Sequence, residues 1–242
     1  MAAMIPVFTR CKQILMVVVV TIQLSIAVCQ GADKSLSSYL WESSTDLLAG
    51  VYNTNYIKGV INGDMDPNFY GAYTLQDASW CREISLVWAQ VAQNQSARPQ
   101  LRQFASDSAT GYLECSTYLF GAFAIKDSGG HDYGVILGQA AASYANVVID
   151  ATATYGSPYV VIATYACVKL WSNITANLST MVNSSNPYSS WVYNNTGNSS
   201  AIKQGDFIDK WASWYDRNLS LSIFRRAMGG EIGLFNLWPK NN

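Results

Sequence analysis

The segment FYGAYTLQDASWC, residues 69–81, has the residue spacing of a single amphipathic helix. Residues spaced three or four positions apart lie on one face of such a helix, and here they are Phe69, Tyr73, Gln76 and Trp80. Asp77 borders that face, one turn after Tyr73 and one turn before Cys81. A carboxylate beside aromatic rings either reaches solvent at the edge of the face or is buried next to a polar partner. The segment therefore predicts a helix that lines either a core or a polar site.

Helical periodicity extends over most of the chain and predicts an all-α fold. The 242 residues suffice for one well-cored domain, because half of them are hydrophobic and only 13% are charged. VVIDATATY and VVIATYACV are rich in β-branched residues, but each continues a helical pattern beyond the usual length of a strand. The predicted helices span residues 35–49, 51–61, 67–95, 98–124, 132–154, 158–180, 187–195, 204–227 and 229–238.

Charge and motif content exclude several classes of function. The 15 basic and 16 acidic residues are scattered, and no basic cluster alternates with aromatic residues as nucleic-acid binding requires. The sequence has no glycine-rich phosphate loop, and His131 is its single histidine. We therefore expect neither a nucleic-acid partner nor a metal site.

The N-terminus has the features of a secretory leader. Arg10 and Lys12 precede the apolar run ILMVVVVTIQLSIAV, which is short for a membrane span, and AVCQGA supplies small residues for cleavage. This pattern favours a signal peptide over residues 1–31 rather than a signal anchor. The mature domain, residues 32–242, is then expected outside the cell or in the secretory lumen, with no membrane segment after cleavage.

Glycosylation motifs support that expectation. The sequence contains seven Asn-X-Ser/Thr sequons, where roughly three would arise by chance. Attached glycans would also compensate for the low charge of the chain. The sequons begin at Asn94, Asn173, Asn177, Asn183, Asn194, Asn198 and Asn218.

Two segments resemble the TenA/thiaminase II family. INGDMDPNFYGAYTLQDASW, residues 61–80, is similar to the family's helix that follows a glycine-containing turn and carries an acidic residue after glutamine. VVIATYACVKLWSNI, residues 160–174, is similar to the helix that carries the family's nucleophilic cysteine. The resemblance places Asp77 and Cys167 at those two positions.

Three further segments extend the resemblance from about residue 40 to the C-terminus. SYANVVIDATATYGS places Tyr144 at a pocket tyrosine, NPYSSWVYNN resembles a Pro-aromatic-x-x-Trp helix, and GGEIGLFNLW places Glu231 at the general acid. Three positions depart from the family pattern. Trp80 and Asn195 stand where pocket tyrosines are expected, and Leu234 stands where phenylalanine is usual. With Tyr144, these three positions are the candidate substrate-binding residues.

The resemblance implies a single multi-helical up-and-down bundle like that of heme oxygenase, which fits the predicted helices. It also implies a hydrolase that needs no cofactor or metal, acts on a small heteroaromatic ligand and commonly forms dimers or tetramers. Cys167 would add to an aminopyrimidine ring, Glu231 would act as the acid, and Asp77 would fix the amino group of the ring.

Other interpretations of these residues remain open at the level of sequence. Cys167 could be a small buried hydrophobe, Asp77 a solvated acid at the edge of a helix, and Glu231 an acid in the first turn of a helix. A secreted glycoprotein that binds a small heterocycle without turning it over is the alternative function. A heme-degrading enzyme ranks third, because no histidine is suited to be the proximal ligand.

The cysteine count predicts one disulfide. Cys11 and Cys29 would be lost with the leader, which leaves three cysteines in an oxidising compartment. Cys81 and Cys115 lie 34 residues apart on neighbouring predicted helices. We therefore expect these two to pair and Cys167 to remain free.

We predict that the mature chain begins near residues 30–33 and carries N-linked glycans. Intact mass before and after glycosidase treatment measures both properties. An unglycosylated protein that retains Met1 would contradict the prediction.

Overall fold

The computed structural model describes residues 34–130 and 132–237, so the predicted leader and His131 lie outside the described part. The helices from Leu36 onward belong to one compact unit. Numbered in chain order, the α-helices are α1 Leu36–Glu42, α2 Leu48–Tyr52, α3 Asn55–Asn62, α4 Pro67–Gln93, α5 Pro99–Ala122, α6 Gln139–Tyr155, α7 Tyr159–Met181, α8 Ser189–Asn194, α9 Ser199–Lys210 and α10 Arg217–Phe235. Short 3-10 turns occupy Thr45–Leu47 and Ala212–Trp214.

The all-α prediction is confirmed, since the described residues contain no β-strand. The segments VVIDATATY and VVIATYACV both lie in helices, α6 and α7. Within α7 the apolar residues are buried around most of the helix circumference, which is why its β-branched run does not alternate as a half-buried strand would. No helix in the described part of the chain is long and apolar enough to cross a membrane.

Local sequence fixes where the main helices begin and end. Asp66 caps α4 by accepting a hydrogen bond from the backbone N–H of Asn68 at 2.8 Å, and Pro67 occupies the first turn. Asp216 caps α10 in the same way, with its carboxylate 2.7 Å from the backbone nitrogen of Leu219. At the other end of α3, Gly63 adopts φ +74°, a left-handed conformation that terminates the helix.

The long helices pack around α10. α4 and α5 form an extended pair, whereas α10 packs on α6 and α7 and also touches α3 and α4. This arrangement puts one side of α10 at the centre of the core, where Ala227, Met228, Glu231 and Leu234 are buried. Side chains from α4, α6 and α7 therefore face a common strip of α10.

The structure corrects the predicted boundaries of α6 and α10. Residues 132–138 are irregular and α6 starts only at Gln139, because Gly134 has φ +67° and Gly138 is extended. The predicted break between residues 227 and 229 does not exist, since α10 runs through Gly229 and Gly230 to Phe235. The real interruption lies earlier, between α9 and α10, where Asp216 begins the new helix.

A side chain on α4 anchors the start of α6. The carboxamide of Gln76 accepts a hydrogen bond from the backbone N–H of Gly138 at 2.6 Å. The same group donates to the carbonyl of Ile136 at 3.1 Å. Gln76 thus belongs to the predicted face of α4, but it binds the loop that leads into α6 rather than the core.

Candidate functional site

Four helices bring the predicted catalytic residues into one buried group. Asp77 lies on α4, Tyr144 on α6, Cys167 on α7 and Glu231 on α10. The hydroxyl of Tyr144 donates to Oε1 of Glu231 at 2.9 Å across 87 residues of sequence. The Cys167 thiol lies near enough to the same carboxyl group for the two to affect each other's pKa, and the charges of Asp77 and Glu231 interact as well.

Glu231 is the most deeply buried carboxyl group of the site, with 1% of its surface exposed. Burial raises the pKa of Glu231 to about 7, because a charged carboxylate is poorly solvated among apolar helices. Three donors oppose this rise, namely the Tyr144 hydroxyl, the Cys167 thiol and the Trp171 indole N–H. Glu231 is therefore poised to gain or lose a proton near neutral pH. Its place late in α10 rules out the interpretation as an acid in a first turn.

Asp77 shares this environment. Burial, followed by the negative charge of Glu231, raises the pKa of Asp77 to about 7. Measured by its exposed surface area, the side chain of Asp77 is half-buried. Asp77 is therefore not a freely solvated acid on an outer helix edge.

Cys167 lies one turn before Trp171 on the inner face of α7. Burial raises the pKa of its thiol well above the ordinary value, and the neighbouring charges of Glu231 and Asp77 raise it further. The resting group is therefore a neutral thiol beside a carboxyl group that can accept its proton. The proximity of the Cys167 thiol to the Glu231 carboxyl group distinguishes it from a cysteine that merely fills the core.

The position of Tyr144 depends on a glycine and on an indole ring. Trp80 stacks on the phenol ring at a centroid distance of 4.5 Å and an interplanar angle of 16°. On another side the ring lies so close to α10 that a Cβ at Gly230 would be 2.6 Å from Cγ of Tyr144. Only glycine allows this approach without displacement, so Gly230 lets the Tyr144 hydroxyl reach Glu231.

An aromatic cluster closes the site toward α3 and the end of α10. Tyr73 stacks on Phe235 at 5.5 Å with an interplanar angle of 13°, and Tyr56 lies 4.0 Å from Tyr73. Trp171 contacts Phe235 at 5.4 Å and Trp191 at 5.3 Å. These rings make a rigid apolar wall beside the two carboxyl groups.

Several buried polar atoms near the carboxyl groups have no hydrogen-bond partner among the described residues. They include the hydroxyls of Tyr56 and Tyr73 and the indole nitrogen of Trp80. Buried donors are normally paired, so each unpaired one needs an explanation, and a catalytic or binding role is one such explanation. The charges of Asp77, Glu231 and Cys167 all act on the Tyr73 hydroxyl, so this hydroxyl belongs to the site.

Two predicted binding residues are placed differently from the expectation. Asn195 is exposed, and its amide donates to the backbone carbonyl of Trp191 at 2.7 Å, so it does not line the site. The ring that this segment contributes is Trp191. Leu234 is completely buried one turn after Glu231, and the neighbouring Phe235 provides the aromatic contact. The face of Trp80 is covered by Tyr144, so that face does not remain free for a ligand.

Sequence reasoning missed Trp171, Tyr112 and Trp191. Trp171 follows Cys167 by four residues, and this spacing alone places both on one helix face. Tyr112 meets Trp80 edge to face at 5.8 Å, and the charge of Cys167 contributes to the raised pKa of its phenol. Trp191 is the tryptophan of the Pro-aromatic-x-x-Trp segment, but its contacts with Tyr56 of α3 and Trp171 of α7 come from distant parts of the chain.

A surface groove lies elsewhere, away from this buried group. It encloses about 560 Å³ between α4 and α5 and is lined by small residues with Arg102. No carboxyl or thiol group lines this groove, so the candidate site is the buried group that contains the two acids and the thiol. Within residues 34–130 and 132–237, no cluster of three or more His, Cys, Asp or Glu could hold a metal ion. We assign no metal ligands there.

The structure also places the predicted cysteine pair and the asparagines of the sequons. The Sγ atoms of Cys81 and Cys115 lie 3.4 Å apart as free thiols, and Cys167 is also free. Six of the seven sequon asparagines are exposed, and Asn173 is partly buried within α7. Occupancy of these sequons and closure of the cysteine pair remain predictions.

The chain is thus a helical bundle with two acids, a tyrosine and a thiol at its centre, and it can be compared with solved structures of helical bundles. The structure is similar to that of a TenA homologue protein from P. horikoshii OT3, with a TM-score of 0.69 and 13% sequence identity. The match covers 84% of this chain and 98% of the other chain. It confirms the predicted heme oxygenase-like fold. No family model matches the sequence, and no curated protein matches it.

We predict opposite effects of the two adjacent glycines of α10. Gly230→Ala should lower the free energy of unfolding by about 1–3 kcal/mol, because the new methyl group collides with Tyr144. Gly229→Ala is the matched control, since a Cβ there meets no atom within 4 Å. It should stabilise the helix by about 0.5–1 kcal/mol. Denaturant unfolding measures both, and equal effects would contradict the close approach of Tyr144 to α10.

The buried carboxyl groups predict a stability change with pH. Between about pH 4.5 and 7 the folded protein keeps a proton on Glu231 that the unfolded chain releases. Stability should therefore fall as the pH rises through this window, whereas Glu231→Gln has no proton to lose. Between pH 4.5 and 8 the wild type should lose about 2–4 kcal/mol relative to this variant. Exposed Glu114→Gln is the control, and parallel unfolding curves for all three proteins would contradict the buried site.

Proposed function

We propose that the protein is a thiaminase II-like hydrolase that acts on an aminopyrimidine or a related small heterocycle. The fold likeness supports the class of protein, and the grouping of Tyr144, Cys167 and Glu231 supports the chemistry. The proposal rests on this grouping, because Tyr144 holds Glu231 by a hydrogen bond and Glu231 influences the thiol of Cys167, so a nucleophile lies near a group that can accept and return its proton. No cofactor is required for the proposed reaction.

The proposed reaction begins with transfer of the Cys167 proton to the Glu231 carboxylate. The resulting thiolate attacks an electron-poor carbon of the ring, and protonated Glu231 gives its proton to a ring nitrogen. The substituent on the exocyclic methylene then leaves with the bonding electron pair, and water adds to the methylene carbon while the Glu231 carboxylate takes up the water proton. Expulsion of the thiolate restores the ring, the proton on the ring nitrogen returns to the Cys167 sulfur, and Glu231 passes its proton to the departed substituent. A Glu231 pKa of about 7 suits these proton transfers.

Asp77 has a separate role in this proposal. A carboxylate beside an amino-bearing ring accepts hydrogen bonds from the amino group and fixes the ring orientation. The unpaired hydroxyls of Tyr56 and Tyr73 supply further polar contacts on the same side of the site. The stacked pair of Trp80 and Tyr144 presents ring edges toward the ligand, because each ring covers a face of the other.

We further propose that the protein acts outside the cell or in the secretory lumen, as a glycoprotein that can form a dimer or tetramer. The apolar leader and the sequons support the compartment, and six exposed sequon asparagines are accessible to the modifying enzyme. The self-association rests on the resemblance alone.

Binding without turnover is the second candidate function. Burial holds the Cys167 thiol strongly protonated, and Trp80 replaces a phenol with an indole that can only donate a hydrogen bond. Both features favour a site that retains a heterocycle without reacting with it. The two functions share Asp77 but differ in whether Cys167 matters.

Turnover is predicted to depend on Cys167 and Glu231. Cys167→Ser and Glu231→Gln should each lower kcat by at least about a hundredfold, because each removes one partner of the proton transfer. Product release from aminopyrimidines measures this loss. Cys115→Ser is the matched thiol control, since Cys115 is exposed and its sulfur contacts Cys81. Turnover like that of the wild type in either site variant would rule out the mechanism.

Ligand affinity is predicted to depend on Asp77 under both candidate functions. Asp77→Asn should weaken binding by roughly ten- to a hundredfold in Kd, because a charge-assisted hydrogen bond in a desolvated site contributes about 1.5–3 kcal/mol. Cys167→Ala should leave the affinity nearly unchanged. Calorimetry beside a product assay separates the cases: binding without product favours the binding protein, and neither binding nor product removes the assignment of the site.

A further inference from the structure

Cys81 and Cys115 join α4 to α5 through a direct thiol contact. Their Sγ atoms lie 3.4 Å apart, and the thiol of Cys81 donates to the sulfur of Cys115. A disulfide requires a separation of about 2.05 Å, so the two sulfur atoms would approach by about 1.4 Å on bonding. We call this contact the clasp.

The clasp lies directly behind one wall of the central site. Cys81 follows Trp80 in α4, and Cys115 follows Tyr112 by one turn in α5. The rings of Trp80 and Tyr112 meet edge to face at 5.8 Å, and Trp80 stacks on Tyr144. A bond between the cysteines would therefore hold together the two helices that carry this wall.

The two thiols differ in access to solvent. Cys115 is exposed, whereas 5% of Cys81 is exposed. A small reagent can therefore reach only Cys115 first, and Cys81 is positioned to react with whatever forms there. This asymmetry is that of an attacking cysteine with a resolving partner.

We propose that the clasp is a redox-sensitive device: its oxidation by a low-molecular-weight disulfide ties α4 to α5 and restricts opening of the central site. This inference concerns regulation of the site assigned above, and it rests on the proposed function only for the consequence that a clasped site exchanges its ligand more slowly.

The oxidation balances without a further reagent. The Cys115 thiolate attacks one sulfur of the reagent RSSR and expels RS⁻, which leaves a mixed disulfide. Cys81 then gives up its proton and attacks Sγ of Cys115, and a second RS⁻ departs. The cysteine pair loses two electrons, RSSR gains them, and the two thiol protons complete two molecules of RSH.

Ligand-free measurements test the clasp. After treatment with oxidised glutathione, non-reducing peptide mapping should find Cys81 bonded to Cys115 and Cys167 unmodified. Because the bond closes a loop of 34 residues, it should raise Tm by about 5–15 °C over the dithiothreitol-reduced protein. A persistent glutathione adduct on Cys115 beside a free Cys81 would overturn the proposal, as would a bond to Cys167.

The coupling to the site is read from the alkylation of Cys167 by iodoacetamide, followed by mass on its peptide. Oxidised wild type should react at least about tenfold more slowly than the Cys81→Ala/Cys115→Ser double variant under the same oxidant. If the double variant does not fold, oxidised and reduced wild type give the same comparison. Equal rates overturn the coupling. Since neither measurement uses a ligand, loss of the clasp and loss of the proposed hydrolase are separate outcomes.

Discussion

The hydrogen bond between Tyr144 and Glu231 is the interaction on which the rest of the site depends. It joins α6 to α10 in a region where an unpaired carboxyl group would be strongly unfavourable. Its geometry is possible because Gly230 lets a phenol ring lie against the backbone of α10. Once the ring is fixed, Trp80 stacks on it and Glu231 faces Cys167. One missing side chain thus determines how three helices meet.

The same interaction explains why the site combines stability with reactivity. A bundle of this kind would gain stability from apolar residues at positions 77 and 231, since both carboxyl groups are poorly solvated when charged. The chain instead has in its centre two acids whose pKa values are about 7, a thiol and several unpaired hydroxyls. Such an arrangement is typical of functional sites, where local unfavourable free energy is offset by the surrounding core.

Helical spacing predicted most of the helices, because it is a local property, and the resemblance to the TenA/thiaminase II family supplied the members of the central group. Helical spacing did not predict that α10 runs through Gly229 and Gly230, because the contact that requires glycine at position 230 comes from Tyr144, 86 residues earlier in the chain. The resemblance assigned Asn195 to the site, whereas the chain turns at the end of α8 and Trp191 faces inward. These errors share one origin: the deciding contact comes from a distant helix, so no pattern within the segment carries it.

The double hydrogen bond from Gln76 to the loop before α6 also has a consequence for evolution of the fold. Gln76 fixes the backbone at Ile136 and Gly138, so the position of Tyr144 two turns later does not depend on the path of the preceding connection. That connection contains Gly129, Gly130 and Gly134 at positive φ, each with open space around it. Insertions or deletions between residues 124 and 134 can therefore accumulate without displacing the reactive centre. The anchor makes this surface loop free to diverge.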